Sequence, residues 1–203
     1  MWSVLDMEIP LLPLIGFAIA ATITPGPNNV MVTTAAVNHG VRATVPHMVG
    51  IAVGFAVMLV LVCVGLAGVV LQVPLVATFL RWASLIWLLW LAWKIASAAP
   101  PGSLGARPAL GFFGAMAFQW VNPKAWMICL GAAGAFMVPD GSVLAQGLTI
   151  GLVFLAVALP CILPWAMLGA AAARLLQSPL RLRVFNVAMA ILLVLSMLPV
   201  AFS

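Results

Sequence analysis

The chain has 203 residues, 66% of them hydrophobic and 5% charged, with a mean hydropathy of +1.29. Soluble domains carry roughly a quarter charged residues, so the composition excludes a soluble globular domain and points to a polytopic membrane protein. Eight Lys/Arg outnumber three Asp/Glu, for a net charge of +5. In a soluble chain that balance would suggest nucleic acid; here it fits cations gathered in cytoplasmic loops, and no nucleic-acid partner is expected.

The first eight residues include Asp6 and Glu8 rather than a basic start, so no cleavable signal peptide is expected. Hydropathy predicts six spans, at about 9–36, 45–70, 75–96, 109–137, 143–172 and 184–202. The first lies in a run from Ile9 to Val41 that has no Asp, Glu, Lys or Arg. In its middle stands Thr22-Ile23-Thr24-Pro25-Gly26-Pro27-Asn28-Asn29. Pro25 and Pro27 lack the N–H and clash with the preceding turn, so the helix should break here. Broken backbone at membrane depth is tolerated only where protein or a watery cavity surrounds it. Pro27 suits a first helical position, with Gly26 or Thr24 as cap. The half-helix it starts would aim free N–H groups and a positive dipole end inward, which suits a carboxylate.

Further along, Gln72-Val73-Pro74 divides a charge-free stretch too long for one crossing. Pro100-Pro101-Gly102-Ser103 opens the long loop, Pro139-Asp140-Gly141-Ser142 is a tight turn, and Gln177-Ser178-Pro179 lies before the last span. Arg42, with His39 and His47, marks the first loop. Lys94 and Arg107 mark the third, and Arg174, Arg181 and Arg183 the fifth. The other loops and both termini carry no Lys or Arg, so the odd loops are predicted cytoplasmic and both termini outside. Arg81 lies close to an outer end, where it can snorkel.

A repeat of about 96–97 residues is visible: Pro27 maps on Pro123, and Gly50-x-x-x-Gly54 on Gly147-x-x-x-Gly151. Three spans per half would insert in opposite orientations, the inverted-repeat plan of many secondary transporters. The expected fold is one all-α membrane domain over 1–203, with broken helices 1 and 4. Repeat A is about 9–96, the cytoplasmic linker about 97–108 and repeat B about 109–202. Gly-x-x-x-Gly is also common packing chemistry; the matching proline break is what favours a true repeat.

The second broken segment is Gln119-Trp120-Val121-Asn122-Pro123-Lys124-Ala125-Trp126. Asn122 suits an N-cap and Pro123 a first helical residue, so two helix N-termini should meet from opposite sides. Lys124 is the one full charge deep in a span. A charge at mid-bilayer costs about 2.5–3.5 kcal/mol, so such a residue usually faces the interior or a cavity. The alternative is that Lys124 snorkels to an interface.

Pro25-Gly26-Pro27-Asn28, Asn122-Pro123-Lys124 and the segment from Trp82 to Lys94 resemble the LysE/RhtB family of bacterial amino-acid exporters, over nearly the whole chain. Asn28-Asn29, His39-Gly40-x-Arg42 and Trp90-Leu91-Ala92-Trp93-Lys94-Ile95-Ala96 look most like its cysteine/O-acetylserine branch. The family often has Gly followed by Tyr-Leu in the third span, where this chain has Ser84 and Trp87-Leu88 and no tyrosine anywhere. The resemblance implies export of a small neutral amino acid across the bacterial inner membrane by alternating access, and no enzymatic activity. The substrate-binding candidates are Pro25, Gly26, Pro27, Asn28, Asn29, Asn122, Pro123 and Lys124. Lys124, His39 and His47 are the coupling candidates, since no acid lies inside a span. The lipid bilayer is a partner; protons and a homodimer are further candidates.

A membrane thiol relay through Pro160-Cys161-Ile162-Leu163-Pro164 is an alternative, as is a non-transport scaffold. Cys63 lies near the equivalent repeat position but at a depth some 16 Å away by helical rise, beyond disulfide reach. No metal-ligand spacing, phosphate loop or nucleophile elbow is present, and no cofactor or metal is expected. The histidines read as interfacial. Trp120, Trp126 and Trp165 read as packing or pathway residues. Gln119, Asn186 and Ser196 read as groups bonding neighbouring helices.

Overall fold

A computed structural model describes residues 9–195 except 67, 69–71, 99–109, 140 and 177. Asp6, Glu8, Pro100-Pro101-Gly102-Ser103, Arg107, Asp140, Gln177 and Ser196 lie outside the described residues, as does most of the expected linker.

The chain folds as helices. They are α1 (Leu11–Ile23), α2 (Pro27–Leu61), α3 (Pro74–Ala96), α4 (Phe112–Phe118), α5 (Pro123–Phe136), α6 (Val143–Ala173) and α7 (Pro179–Leu195). A π-helical turn, Val62–Leu66, extends α2, and a 3₁₀ turn, Gln119–Val121, closes α4. Prolines open α2, α3, α5 and α7. Each sits where its missing N–H would have had no partner anyway. Pro27–Leu66, Pro74–Ala96 and Val143–Ala173 are long and apolar enough to cross a bilayer; α1 and Phe112–Val121 are shorter apolar helices. This is a multi-pass helical membrane protein.

Both predicted breaks are present, after Ile23 and before Pro123. Three boundaries differ from expectation. The turn between the first two predicted spans is far shorter than expected: two helical runs of α2 meet at Gly40, whose φ 80° and ψ 164° are not helical, and the chain folds back there, since Asn28 and Asn29 line the same cavity as Ile51 and Phe55. That left-handed backbone suits glycine because it has no Cβ. Arg42 therefore sits on a helix rather than a loop. The fourth predicted span begins at Phe112, not about 109. The last begins at Pro179, so Arg181 and Arg183 belong to its first turns. There Ser178 Oγ accepts from the Arg181 N–H at 3.2 Å, and polarity alone placed those residues in a loop.

α2 packs along α6 and against α4, α1 packs on α6, and α3 pairs with α7. Lipid is as apolar as leucine, so close packing of small residues carries helix association. The glycine pairs supply it. A Cβ on Gly54 would lie 2.6 Å from Met116 Cα, and one on Gly50 would meet the Phe112 backbone. A Cβ on Gly151 would come 2.8 Å from Val60 Cγ2, and one on Gly147 3.1 Å from Cys63 Cβ. The pairs match in sequence yet face different partners: the first meets α4, the second the far end of α2. A third close approach, Gly169 against the Thr33 carbonyl, has no repeat signal at all.

Candidate functional site

The site forms where the two breaks meet. α1 ends at Ile23, so its last carbonyls lose their intrahelical donors. Every carbonyl from Ala20 to Pro25 nevertheless has a donor. Thr24 N–H and Thr24 Oγ1 donate to Ala20 O (3.3 Å) and Ala21 O (3.1 Å). Asn29 Nδ2 donates to Thr22 O (3.0 Å) and Thr24 O (2.8 Å). Trp165 Nε1, from α6, reaches Ile23 O at 3.1 Å. Lys124 Nζ donates to Thr24 O (2.9 Å), Thr24 Oγ1 (2.8 Å) and Pro25 O (3.2 Å). A cation at a helix C-terminus is favourable by roughly 0.3–1 kcal/mol, and more when partly buried.

Gly26 caps α2 with extended backbone and no side chain to offer. A Cβ there would lie 2.7 Å from Lys124 Cδ, so glycine makes room for the lysine stem. The first-turn amides of α2, at Asn28 and Asn29, thus have no side-chain cap. The second break differs. Asn122 caps α5 as expected, its Oδ1 accepting from the Lys124 N–H at 3.2 Å, and the Ala125 N–H bonds Asn122 O at 3.0 Å. Of the two breaks, only the one at α2 has first-turn amides without a side-chain cap.

The breaks are joined a second time. Asn28 Nδ2 donates to Gln119 Oε1 at 2.9 Å, and Gln119 Nε2 returns a bond to Asn28 Oδ1 at 3.2 Å and a second to Ala115 O at 2.9 Å. Gln119 is fully buried. Sequence reasoning noted it only as a polar residue in a span.

Between the breaks lies a cavity of about 40 Å³, room for roughly three waters. Gly26, Asn28, Asn29, Asn122 and Lys124 line one side; Ile51, Phe55, Phe154, Ala158 and Ile162 line the other. Lys124 is its one charged lining residue. An amino acid needs more room than this, so loading requires the walls to part. Of the predicted site residues, Pro25, Pro27 and Pro123 shape the breaks without lining the cavity. His39 is half-buried and His47 fully buried; neither lines it. His47 is packed inside the protein, and among the described residues neither of its ring nitrogens has a hydrogen-bond partner. Asn186, expected to bond a neighbour, is buried with both amide atoms unpartnered.

The three cysteines are free and buried. Cys63 packs beside Gly147, and Cys161 lies 14 residues along the same helix, about 20 Å away by helical rise. That separation keeps the thiol-relay pair out of reach. No group of three or more His, Cys, Asp or Glu able to hold a metal occurs among the described residues.

Residues 19–202 match the family model of the LysE type translocator. The cysteine/O-acetylserine efflux protein of Salmonella typhimurium is 34% identical over 126 residues, 61% of this chain and 64% of that protein. The match thus spans less than two thirds of that relative's length. The protein of the same name from Escherichia coli K12 is 29% identical over 180 residues, 88% of this chain and 90% of that one. No solved structure matches.

Proposed function

The chain belongs to the LysE type translocator family, and from that premise we propose that it exports small neutral amino acids from the bacterial cytoplasm by alternating access. The observation that carries this reading is the cavity between the two helix breaks, lined by amides and one ammonium on one side and by apolar side chains on the other. The substrate carboxylate rests on the uncapped Asn28 and Asn29 amides at the positive end of α2, with Lys124 supplying charge and Asn122 an amide. Pro25, Gly26, Pro27 and Pro123 hold those groups in place. The apolar wall accepts a short side chain. Cysteine and O-acetylserine, named for the relatives, fit that description, and the cavity offers no acid to neutralise a cationic side chain.

The six spans insert as a 3+3 inverted repeat, with both termini outside the inner membrane. Lys124, His39 and His47 are the candidates for coupling to protons. The test is efflux from proteoliposomes loaded with a panel of radiolabelled amino acids. Cysteine, O-acetylserine, homoserine or threonine should leave faster than from protein-free vesicles, and lysine should not. If no amino acid leaves faster, the reading falls.

A further inference from the structure

The break presents two opposite chemistries a few residues apart. The α2 amides at Asn28 and Asn29 have no side-chain cap, and the carbonyls that end α1 lie just before them. A zwitterion carries the complement of both. Its carboxylate suits the amides, and its ammonium suits carbonyl oxygens, as unwound backbone in transporters commonly binds cations. Yet the carbonyl side is already filled. Lys124 Nζ donates to Thr24 O, Thr24 Oγ1 and Pro25 O at 2.8–3.2 Å. An ammonium has three N–H donors and no acceptor, and here three oxygens accept all three.

We infer that the Thr24/Pro25 oxygen cage is the subsite for the substrate's primary ammonium, and that Lys124 is a tethered stand-in holding it while the carrier is empty. This rests on the transport reading and adds what the amine binds. Three observations fit together. The resident group is itself a primary ammonium. Thr24 and Pro25 are exposed and Lys124 half-buried, so an incoming amine can reach the cage. Gly26 leaves the space in which the lysine stem lies, since a Cβ would press on Lys124 Cδ and Nζ. In the exchange, substrate ammonium takes the three oxygens, and Lys124 swings to the carboxylate held at the adjacent amides. One cation leaves the cage as another enters, so the carbonyls stay satisfied in both states. Thr24 O also keeps its bond from Asn29 Nδ2 throughout.

The test is made on the purified Lys124→Met protein, which empties the cage and keeps the stem length. Thermal unfolding in detergent is followed with methylammonium chloride or tetramethylammonium chloride at equal ionic strength. Methylammonium should raise the variant's midpoint by about 3 °C or more at tenfold saturation. Tetramethylammonium, which has no N–H, should not, and wild type should respond to neither. Equal responses to both salts, or a wild-type response matching the variant's, overturn the inference. Should Lys124→Met fail to fold, wild-type proteoliposomes decide. A transported amino acid should drive counterflow of its own label, and its N-acetyl derivative should fail to; equal counterflow overturns the cage. The methylammonium readout needs no transport, so failure of any amino acid to move would sink the export reading and leave the cage judged on its own.

Discussion

Asn28 and Gln119 face each other across the two helix breaks and exchange a pair of amide hydrogen bonds, at 2.9 and 3.2 Å. Each break supplies one partner, and parting them would strand Gln119 Oε1 at a buried position. Removing the Asn28 side chain leaves buried Gln119 Oε1 without its donor, at about 1–3 kcal/mol, although Gln119 Nε2 keeps Ala115 O. Asn28→Ala and Gln119→Ala should each destabilise the protein, and the double variant by less than their sum. A mixed-micelle unfolding cycle should give a coupling of about 0.5–3 kcal/mol. Additive effects would show that the pair does not join the breaks.

The glycines make a sharper set, because the structure separates tight positions from open ones. At Gly50 a Cβ would meet the Phe112 backbone, and at Gly54 it would lie 2.6 Å from Met116 Cα. Backbone cannot swing aside as a side chain can. Gly50→Ala should therefore cost about 1–3 kcal/mol, and Gly54→Leu more. Gly16, in α1, has nothing within 4 Å of its would-be Cβ. Gly16→Ala should be neutral or stabilising by about 0.5–1 kcal/mol, since glycine weakens a helix interior. Detergent melting curves rank the three. A stable Gly50→Ala protein would make the close approach incidental.

Local chemistry made much of this fold legible. Proline suits the first position of a helix, so Pro27 and Pro123 were legible as helix starts. Asn122 was legible as a cap because a cap acts within two residues of itself. Interactions between distant elements were not legible. Asn28 and Gln119 are 91 residues apart, outside the register of the repeat, and no periodicity marks them. The same holds for Trp165 on Ile23 O and Gly169 against Thr33 O. The turn at Gly40 was legible as a polar gap, but not that one residue at positive φ would make it, with helix resuming before His47. Lys124 was found by its charge, yet its partners were not: backbone carbonyls carry no letter of their own in the sequence.

Topology can be tested independently of the site. If the six predicted spans cross in turn, the positive-inside rule puts Arg42, Lys94, Arg107, Arg174, Arg181 and Arg183 together on the cytoplasmic side. Fusions of alkaline phosphatase and a cytoplasmic fluorescent reporter after residues 103 and 203 should give opposite signals, with 103 inside. Matching signals would refute six spans.

The last prediction separates the coupling candidates. His47 is 1% exposed with both ring nitrogens unpartnered. A buried polar group without a partner is a cost to the state that buries it. Replacing it by an apolar residue of similar size removes that cost, so His47→Leu should melt no lower than wild type. Lys124→Gln should melt lower, because it surrenders a charge-assisted contact with three oxygens. Transport then divides the roles. If Lys124 couples export to protons, Lys124→Gln retains some exchange of substrate across proteoliposomes but loses accumulation driven by a pH gradient. If His47 is the coupling group, it is His47→Leu that stays stable, exchanges and cannot accumulate. The cage occupied by Lys124 favours the first outcome, since loading the substrate must move that one cation, whereas His47 lies outside the cavity. Gradient-driven accumulation surviving in Lys124→Gln would remove Lys124 from coupling and leave it the role of neutralising the carboxylate.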